Sequence, residues 1–235
     1  GFYLTFEDDT QVEAFNTVLW RGDSSTSRSI TGPGFSPDLV WIKDRNTARD
    51  SVIFDTVRGA ENYLRSASTA AEGTSSTTLQ SFDSDGFTVG NNAANNNSGE
   101  TYVAWCWKAG DSNVSNTDGT ITSTVRANDT YGFSIVSWNG TETGGDTIGH
   151  GLSSAPDMVI VKRRNAASAW PVYHSALNGG ASPQNYYLYL NSTNAEAADS
   201  GFWNNTAPTS SVITLGGYNT VNGSGDPMIA YCWSE

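Results

Sequence analysis

Three sequence blocks that occur twice, in the same order, constrain this 235-residue chain more than any other feature. The blocks are FNTVLWRG at 15–22, PDLVWIK at 37–43 and AWCW at 104–107, which recur as FSIVSWNG at 133–140, PDMVIVK at 156–162 and AYCW at 230–233. Each second copy lies about 120 residues after the first, as an internal duplication requires. The sequence therefore predicts two homologous units, at 10–110 and 129–235.

The segments outside these units differ from them in composition. Residues 111–128 are rich in Asn, Asp, Ser, Thr and Gly and are predicted to form a linker. Residues 1–9 include FYLTF at 2–6, whose alternation is typical of a half-buried strand. Because the chain begins at Gly1 without a methionine, we expect it to be a piece of a longer polypeptide, with 1–9 as the remnant of a preceding domain.

Short runs of β-branched and aromatic residues, separated by Gly, Pro, Asn and Ser, are the pattern of strands and turns. We predict strands at 15–20, 39–43, 51–57, 86–90, 101–107, 133–138, 157–162, 186–190, 211–216 and 227–233. The segment 60–73 is predicted to hold at most one or two helical turns, because no window has a sustained helical period. The predicted fold is all-β, with two tandem homologous antiparallel β-sandwich units of jelly-roll-like type.

The strand segment 102–107, YVAWCW, is apolar on both of its faces. We expect such a strand to be covered on both sides, by the core of its own sandwich and by a neighbouring element. Trp41 and Trp105 lie within predicted strands and are therefore expected in the core. The only two cysteines, Cys106 and Cys232, each lie inside an aromatic strand, and we predict buried free thiols rather than a disulfide.

Charge and composition exclude several classes of protein. Lys and Arg number 12 against 24 Asp and Glu, so the formal net charge is −12. A surface of this sign does not suit sequence-independent binding to nucleic acid, which depends on lysine and arginine contacts to phosphates. No apolar run reaches the ~18 residues of a membrane span, and no signal peptide opens the sequence. We therefore expect neither a nucleic-acid partner nor a membrane partner.

Residue types that carry out catalysis or bind metals are sparse. The two histidines, His150 and His174, do not lie in a nucleophile or metalloprotease motif, so no catalytic residue is assigned and no enzyme is expected. Asp83 and Asp85 alternate before Gly86, a spacing that can place carboxylate oxygens around Ca²⁺. Because the acidic residue that would complete a calcium loop is missing, an ordinary turn is the alternative. No other cofactor is expected.

Two loops of the second unit carry residue types that bind sugars. A sugar site needs an aromatic ring for the apolar face of the sugar, and amide or hydroxyl groups for its OH groups. Trp170, Tyr173 and His174 lie in one loop, and Trp203 and Asn204 lie in another, among turn-forming residues that favour partial exposure. These five residues are the predicted glycan-binding set. The alternative is that Trp203 folds back and caps the sandwich.

Four motifs of the first unit are distinctive: GFSPDLVWIK at 34–43, FDTVRGA at 54–60, SFDSDGF at 81–87 and TYVAWCWKAG at 101–110. They resemble repeats in virion proteins of tailed bacteriophages, mostly marine, in which this tandem module often follows a laminin-G or concanavalin-like segment. The resemblance extends from about residue 10 to the end of the chain. It implies a virion surface component of tail fibre or decoration type, with no enzymatic activity, and it assigns no binding residue.

Two functions are compatible with these features. The first is a phage virion surface protein, such as a tail fibre or spike, whose β-sandwich module binds host-cell surface glycan. The second is a capsid decoration or fibre-shaft module that binds only other virion subunits. Virion subunits are expected partners in either case, and a homo-oligomer is expected, a trimer if the protein is a fibre. A glycan depolymerase is a third alternative, for which the sequence offers no acid–base pair.

Overall fold

A computed structural model describes residues 14–235, so the strand predicted within 1–9 lies outside the described residues. The strands are β1 (Phe15–Arg21), β2 (Arg28–Ile30), β3 (Leu39–Asp44), β4 (Val52–Asp55), β5 (Asn62–Arg65), β6 (Gly73–Thr74), β7 (Leu79–Asp83), β8 (Gly86–Val89), β9 (Thr101–Trp107), β10 (Val114–Asn116), β11 (Ser123–Asn128), β12 (Phe133–Asn139), β13 (Thr147–Gly149), β14 (Met158–Arg163), β15 (Pro171–His174), β16 (Tyr186–Tyr189), β17 (Ala197–Ala198), β18 (Val212–Thr214) and β19 (Pro227–Trp233). The helices are α1 (Ser200–Trp203) and α2 (Asn219–Asn222), with 3₁₀ turns at Leu177–Gly180 and Pro183–Asn185. Every predicted strand is present, and the all-β prediction is confirmed.

The strands form sheets in which all ladders between the described strands are antiparallel. In the first half (residues 14–110), one sheet has the order β1-β9-β3-β4-β5-β6 and a smaller one has the order β2-β8-β7. In the second half (residues 111–235), the large sheet has the order β10-β11-β12-β19-β14-β15-β16-β17, and β13 pairs with β18. From β12 to β17, the large sheet repeats the strand order of the six-stranded sheet, position by position.

Three apolar clusters lie between these sheets. A first-half cluster, which includes Val40, Phe54 and Phe87, joins the six-stranded sheet to the three-stranded one. A second-half cluster joins the eight-stranded sheet to the β13–β18 pair and α1. A central cluster includes Leu39 of β3 and Tyr231 of β19, so the six-stranded and eight-stranded sheets face each other. The two large sheets therefore form the middle layers of a stack.

The pleat explains this stacking, because successive side chains of a strand point to opposite faces of the sheet. In β3, Val40 and Ile42 enter the first-half cluster, whereas Leu39 enters the central cluster. The segment 102–107, for which cover on both faces is expected, lies in β9, where one face is buried in the first-half cluster and Val103, Trp105 and Trp107 on the other face are only half-buried. Cover on both faces is complete at Leu39 and Val40 of β3 and partial in β9. The second cover comes from the other half of the same chain.

Two local predictions differ from the structure. The segment 60–73 contains β5 and the start of β6 rather than helical turns. Its Leu64 is fully buried between two less buried neighbours, which is the alternation of a strand. The stretch 111–128, predicted as a linker, contains β10 and β11, and β11 pairs with β12 through the register Val125↔Val136. Thr and Val within a polar segment were sufficient to extend the sheet.

A buried ionic cluster fixes the two halves to each other. The carboxylate of Asp55 pairs with the guanidinium of Arg58 and accepts a hydrogen bond from the Tyr231 hydroxyl, at 2.7 Å. Glu72 continues the cluster, pairing with Arg58 at 3.1 Å and with Arg164 at 2.8 Å. Burial raises the pKa of Tyr231 well above its ordinary value, so its hydroxyl stays protonated and keeps donating. Because Tyr231 and Arg164 belong to the second half, the cluster crosses the central interface.

Candidate functional site

The predicted glycan-binding tryptophans are buried. Trp170 is 0% exposed, and its indole N–H donates to the carbonyl oxygens of Arg65 and Ser68, at 3.2 and 3.0 Å. Trp203 is 1% exposed and packs edge-on against the ring of Tyr173, with 6.1 Å between the ring centroids. Neither indole presents a face on which a sugar can stack. The expected partial exposure of Trp203 is therefore wrong, and the alternative, that it caps the sandwich, is confirmed.

The predicted set does not form one site. Trp170 belongs to the central cluster, whereas Tyr173 and Trp203 belong to the second-half cluster. His174 is half-buried, and its Nδ1 accepts a hydrogen bond, at 3.0 Å, from a backbone N–H two residues further on. Asn204 is exposed at the end of α1, with a φ of 50°. The structure thus brings Tyr173 and Trp203 together and places the other three residues elsewhere.

The carboxylates proposed for calcium hold turns instead. Asp83 accepts hydrogen bonds from the hydroxyls of Ser81 and Thr88, at 2.7 and 2.8 Å. Asp85 accepts one from the backbone N–H of Gly34, at 2.8 Å. Within residues 14–235, no group of three or more His, Cys, Asp or Glu side chains is placed to hold a metal ion. The hydrogen bonds of both carboxylates agree with the ordinary-turn alternative.

Buried titratable groups elsewhere have structural surroundings. Cys106 and Cys232 are free and buried, as predicted, and burial raises the pKa of each thiol to about 12. Such thiols remain protonated near neutral pH and are poor nucleophiles. His150 is buried, with Nε2 at 3.1 Å from the carbonyl oxygen of Thr209, and burial lowers its pKa. None of these groups lines the concave surfaces described below.

A cleft of about 290 Å³ lies at the rim of the first-half sandwich, and we call it the Arg65 cleft. Six of its lining residues carry polar groups: Arg49, Asp50, Tyr63, Arg65, Thr78 and Asn92. They come from four places in the chain, namely the β3–β4 loop, β5, and the segments before β7 and after β8. The cleft is therefore a product of the tertiary fold, and its walls belong to both sheets of the sandwich.

The strand geometry of β5 aims two of these side chains into the cleft. Because Leu64 points into the central cluster, its neighbours Tyr63 and Arg65 point to the opposite face. The Arg65 guanidinium lies 5.0 Å from the centroid of the Tyr63 ring, within range of a cation–π contact. Gly73 of β6 makes room for this ring, because a Cβ at that position would lie 2.5 Å from the Tyr63 Cζ. The pair is thus fixed by the sheet beneath it.

The opposite wall of the cleft is also held in place. The Tyr102 hydroxyl donates to the carbonyl oxygen of Ala93 at 2.9 Å, which anchors the segment after β8. Within that segment, the side-chain oxygen of Asn92 accepts a hydrogen bond from the Ala94 N–H at 3.0 Å. The Thr78 hydroxyl donates to a backbone carbonyl at 2.6 Å. The Thr78 hydroxyl is buried and its hydrogen is used in this bond, whereas the half-buried Asn92 amide, whose nitrogen lies 3.3 Å from the Thr77 hydroxyl, retains one amide hydrogen and one lone pair.

The two arginines of the cleft differ in their charge environment. Arg49 pairs with Asp44 at 2.8 Å and also with Glu100. The hydrogen bond to Asp44, with the charge of Glu100, raises the Arg49 pKa above its ordinary value. Arg65 makes no ion pair with a carboxylate of residues 14–235. Asp50 is exposed at the rim. Arg65 is therefore the cationic group of the cleft whose hydrogen-bonding capacity is largely unused.

A second concave surface, which we call the Trp face, is apolar. Trp41, Trp105 and Trp107 line a cavity of about 320 Å³ on the side of the six-stranded sheet that faces the second half. Leu19 and Phe15, on the adjacent edge strand β1, are 64% and 37% exposed. The expectation that Trp41 and Trp105 are core residues is wrong, because both are only half-buried. The eight-stranded sheet covers part of this face and leaves the rest open.

Sequence reasoning missed both surfaces, although each had a signal. The alternation Tyr63-Leu64-Arg65 marks a strand with two long side chains on one face. For the Trp face, the signal was a larger ring in the first copy than in the second at two of the repeated positions. Trp41 of the first copy corresponds to the aliphatic Ile160, and Trp105 corresponds to the smaller ring of Tyr231. If both copies buried these two positions to the same extent, the first copy would not need larger side chains there than the second.

Helices α1 and α2 have four residues each, and no helix within residues 14–235 has the length and apolar character to cross a membrane.

Comparisons with known proteins give one result. No curated protein and no solved structure matches the chain. A family described as a domain of unknown function, DUF7483, matches residues 10–235. Since this match spans nearly all 235 residues, the chain belongs to the DUF7483 family.

Proposed function

We propose that this chain is a non-enzymatic module of a bacteriophage virion surface, in a tail fibre or spike, and that it binds a host-surface saccharide in the Arg65 cleft. The virion location is supported by the resemblance of the four motifs of the first unit. The tandem organisation is supported by the shared strand order of the two large sheets. We infer from it two homologous sandwich units, of which the first carries the site.

The composition of the Arg65 cleft is the observation that carries this proposal. A saccharide presents apolar C–H faces and a ring of hydroxyl groups, so its site needs an apolar wall beside several hydrogen-bonding groups. Tyr63 supplies the wall, and the Asn92 amide and the Arg65 guanidinium supply the hydrogen-bonding groups. The volume of about 290 Å³ is near the lower end of ligand pockets and suits one or two sugar rings.

The experiment measures binding to intact candidate host cells, with and without competing surface polysaccharide, and binding to a glycan array. We expect saturable binding that the polysaccharide abolishes. Tyr63→Ala should lower the affinity at least about tenfold, which corresponds to ~1.4 kcal/mol. Tyr218→Ala is the matched control, because Tyr218 is an exposed tyrosine of the second half. Thermal denaturation confirms that both variants are folded.

Asn92→Ala provides an independent test, since Asn92 is outside the apolar clusters of the first half. Equal binding by the parent chain and by both cleft variants would contradict the site. Absence of saccharide binding by the folded protein would contradict the function. Release of reducing sugar from the polysaccharide would contradict the non-enzymatic part of the proposal and favour a depolymerase.

The Trp face favours a second candidate function, assembly with another copy of this chain in the virion. Exposed apolar areas of this kind mark contact surfaces. The face continues into the central cluster, since the Trp107 ring lies 6.0 Å from that of Trp233 and 6.2 Å from that of Phe133. A sheet face that already packs on a sheet within the chain is suited to pack on one from a second copy.

Sedimentation tests this second candidate. The parent chain is expected to form a homo-oligomer, and Leu19→Asp is expected to dissociate it, because the carboxylate would be buried unpaired in an apolar contact. The matched control is Val114→Asp, at another exposed apolar residue on an edge strand. A parent chain that remains monomeric at high concentration would contradict assembly through this face.

A further inference from the structure

We infer that the Arg65 cleft selects an acidic sugar, a hexuronate or sialate residue whose carboxylate is bound by Arg65. This inference rests on the proposed function, because it names the class of saccharide that the same cleft takes. It depends on three observations: the charge environment of Arg65, the contact of its guanidinium with Tyr63 and the carboxylate at the rim of the cleft.

The charge environment of Arg65 differs from that of the other inward-facing arginines. Arg58, Arg126 and Arg164 each pair with a carboxylate, at distances between 2.5 and 3.1 Å. Arg65 is also partly withdrawn from water, yet among the described residues its guanidinium contacts only the Tyr63 ring and, at 3.4 Å, the Tyr63 hydroxyl. A guanidinium in this state has lost part of its hydration without gaining an anion. A ligand carboxylate would supply the missing partner.

The donor geometry of the guanidinium suits a carboxylate in particular. The group has five N–H donors in one plane, and one of them is directed to the Tyr63 hydroxyl at 3.4 Å, so most of the donors remain for a ligand. Two parallel N–H donors match the two oxygens of a carboxylate, and charge-assisted bonds of this kind are about twice as strong as neutral ones. Because β5 and the ring hold the guanidinium in place, little side-chain entropy is lost on binding.

The charges at the rim of the cleft restrict the class of saccharide further. Asp50 is exposed there, and the whole chain carries a net charge of −12. Both features repel polymers with dense negative charge, such as sulfated polysaccharides, over about one Debye length. A sugar with one carboxylate would place this group at Arg65, a hydroxyl group at Asn92 and only neutral atoms near Asp50. The cleft therefore distinguishes a carboxylate sugar from both a neutral and a sulfated one.

The test uses an array of paired oligosaccharides, in which each uronate- or sialate-bearing member is also present as its neutral methyl ester. Neutral and sulfated oligosaccharides complete the array. We expect the parent chain to bind acidic members at least about tenfold more tightly than their esters, and to bind sulfated ones weakly. Arg65→Gln should abolish this preference, and Arg65→Lys should retain part of it, because an ammonium cannot make the paired contact.

Arg21→Gln is the matched control, since Arg21 is exposed on β1 and does not line the cleft. It removes the same charge and should leave the preference unchanged. Equal affinity for acids and esters, or an Arg65→Gln variant that keeps the preference, would overturn the inference while the saccharide function stands. If the folded parent chain binds no member of the array, the proposed function itself fails.

Discussion

Lys43 and Lys162 occupy the same position in the two copies of the repeated PDLVWIK and PDMVIVK blocks, yet their surroundings differ. Lys43 is half-buried, and its ammonium donates to carbonyl oxygens of its own loop, those of Thr47 and Arg49. Lys162 is fully buried, and one of its acceptors is the carbonyl oxygen of Thr69, in the other half, at 3.0 Å. One repeated residue is therefore a solvated strand end in one half and part of an interface in the other.

The difference arises because the two halves do not pack symmetrically. The segment 66–72 of the first half covers the end of β14, where Glu72 binds Arg164 and the Thr69 carbonyl accepts from the Ser168 N–H at 2.8 Å. The corresponding second-half residues, 190–193, line a shallow cavity beside Ala67 instead of covering Lys43. The uncovered part of the first half is the Trp face. The two copies of the duplicated sequence therefore differ in their surroundings. The end of β14 in the second half is covered by the first half, whereas the Trp face of the first half is partly open to solvent.

The largest predicted effect concerns the ionic cluster that makes the halves asymmetric. Asp55→Ala should lower the free energy of unfolding by about 3–5 kcal/mol, because Arg58 and the Tyr231 hydroxyl would stay buried without their shared acceptor. His174 is the β15 residue at the matching position and is only half-buried, so His174→Ala should cost about 1 kcal/mol or less. Urea denaturation measures both. Similar losses for the two variants would show that the cluster does not distinguish the halves.

An intermediate effect concerns Lys162. Burial lowers its pKa to about 8 in the folded chain, against 10.5 for an unperturbed lysine. Between pH 8 and 10.5 the unfolded chain holds the proton that the folded chain has released, so the free energy of unfolding contributed by this group rises with pH. Relative to Lys162→Met, the parent chain should gain about 1–2 kcal/mol from pH 8 to pH 10. The titration of Cys106 and Cys232 cancels in this comparison, because the parent chain and the variant both contain these two residues.

A difference in the free energy of unfolding between the parent chain and Lys162→Met that does not change with pH would contradict this prediction. It would mean that the first half leaves the Lys162 ammonium hydrated. Thermal unfolding followed at several pH values, at constant ionic strength, gives the comparison directly. The two hydrogen bonds to Thr69 and Ser168 carbonyls should still make the parent chain differ from the variant at pH 7.

Local patterns were sufficient to predict ten of the nineteen strands within residues 14–235, because these strands depend on alternation and on turn residues that lie nearby in the sequence, but short strands such as β5, β10 and β11 were missed. Local patterns were not sufficient to predict which side chains are exposed to solvent. Trp203 lies among turn formers, but Asp199 caps α1 by accepting from the Gly201 N–H at 2.8 Å, and this turn directs the indole inward. Trp41 and Trp105 lie in strands with buried neighbours, but their outer face depends on how far the other half extends.

The same limit explains why the candidate site could not be predicted from motifs. The walls of the Arg65 cleft come from segments as far apart as Arg49 and Asn92, and no sequence motif joins them. Arg65 differs from Arg49, the other arginine of the cleft, in that it has no carboxylate partner among residues 14–235, and only the three-dimensional arrangement reveals this. By contrast, the repeated blocks of the sequence lie in matching strands of the two large sheets, namely β1 and β12, β3 and β14, and β9 and β19.

The smallest predicted effect on stability separates the cleft from the fold that supports it. Gly73→Ala would place a Cβ 2.5 Å from the Tyr63 Cζ, so the ring must move and Arg65 loses its support. We expect saccharide affinity to fall about three- to tenfold, with a change in the free energy of unfolding of about 1 kcal/mol or less. Gly217→Ala, in the second half, meets its nearest atom at 3.5 Å and serves as the matched control. Calorimetric titration with an acidic oligosaccharide compares the two variants. An unchanged affinity in Gly73→Ala would mean that the position of the Tyr63 ring does not determine binding, and that the first half has no advantage over the second as a ligand site.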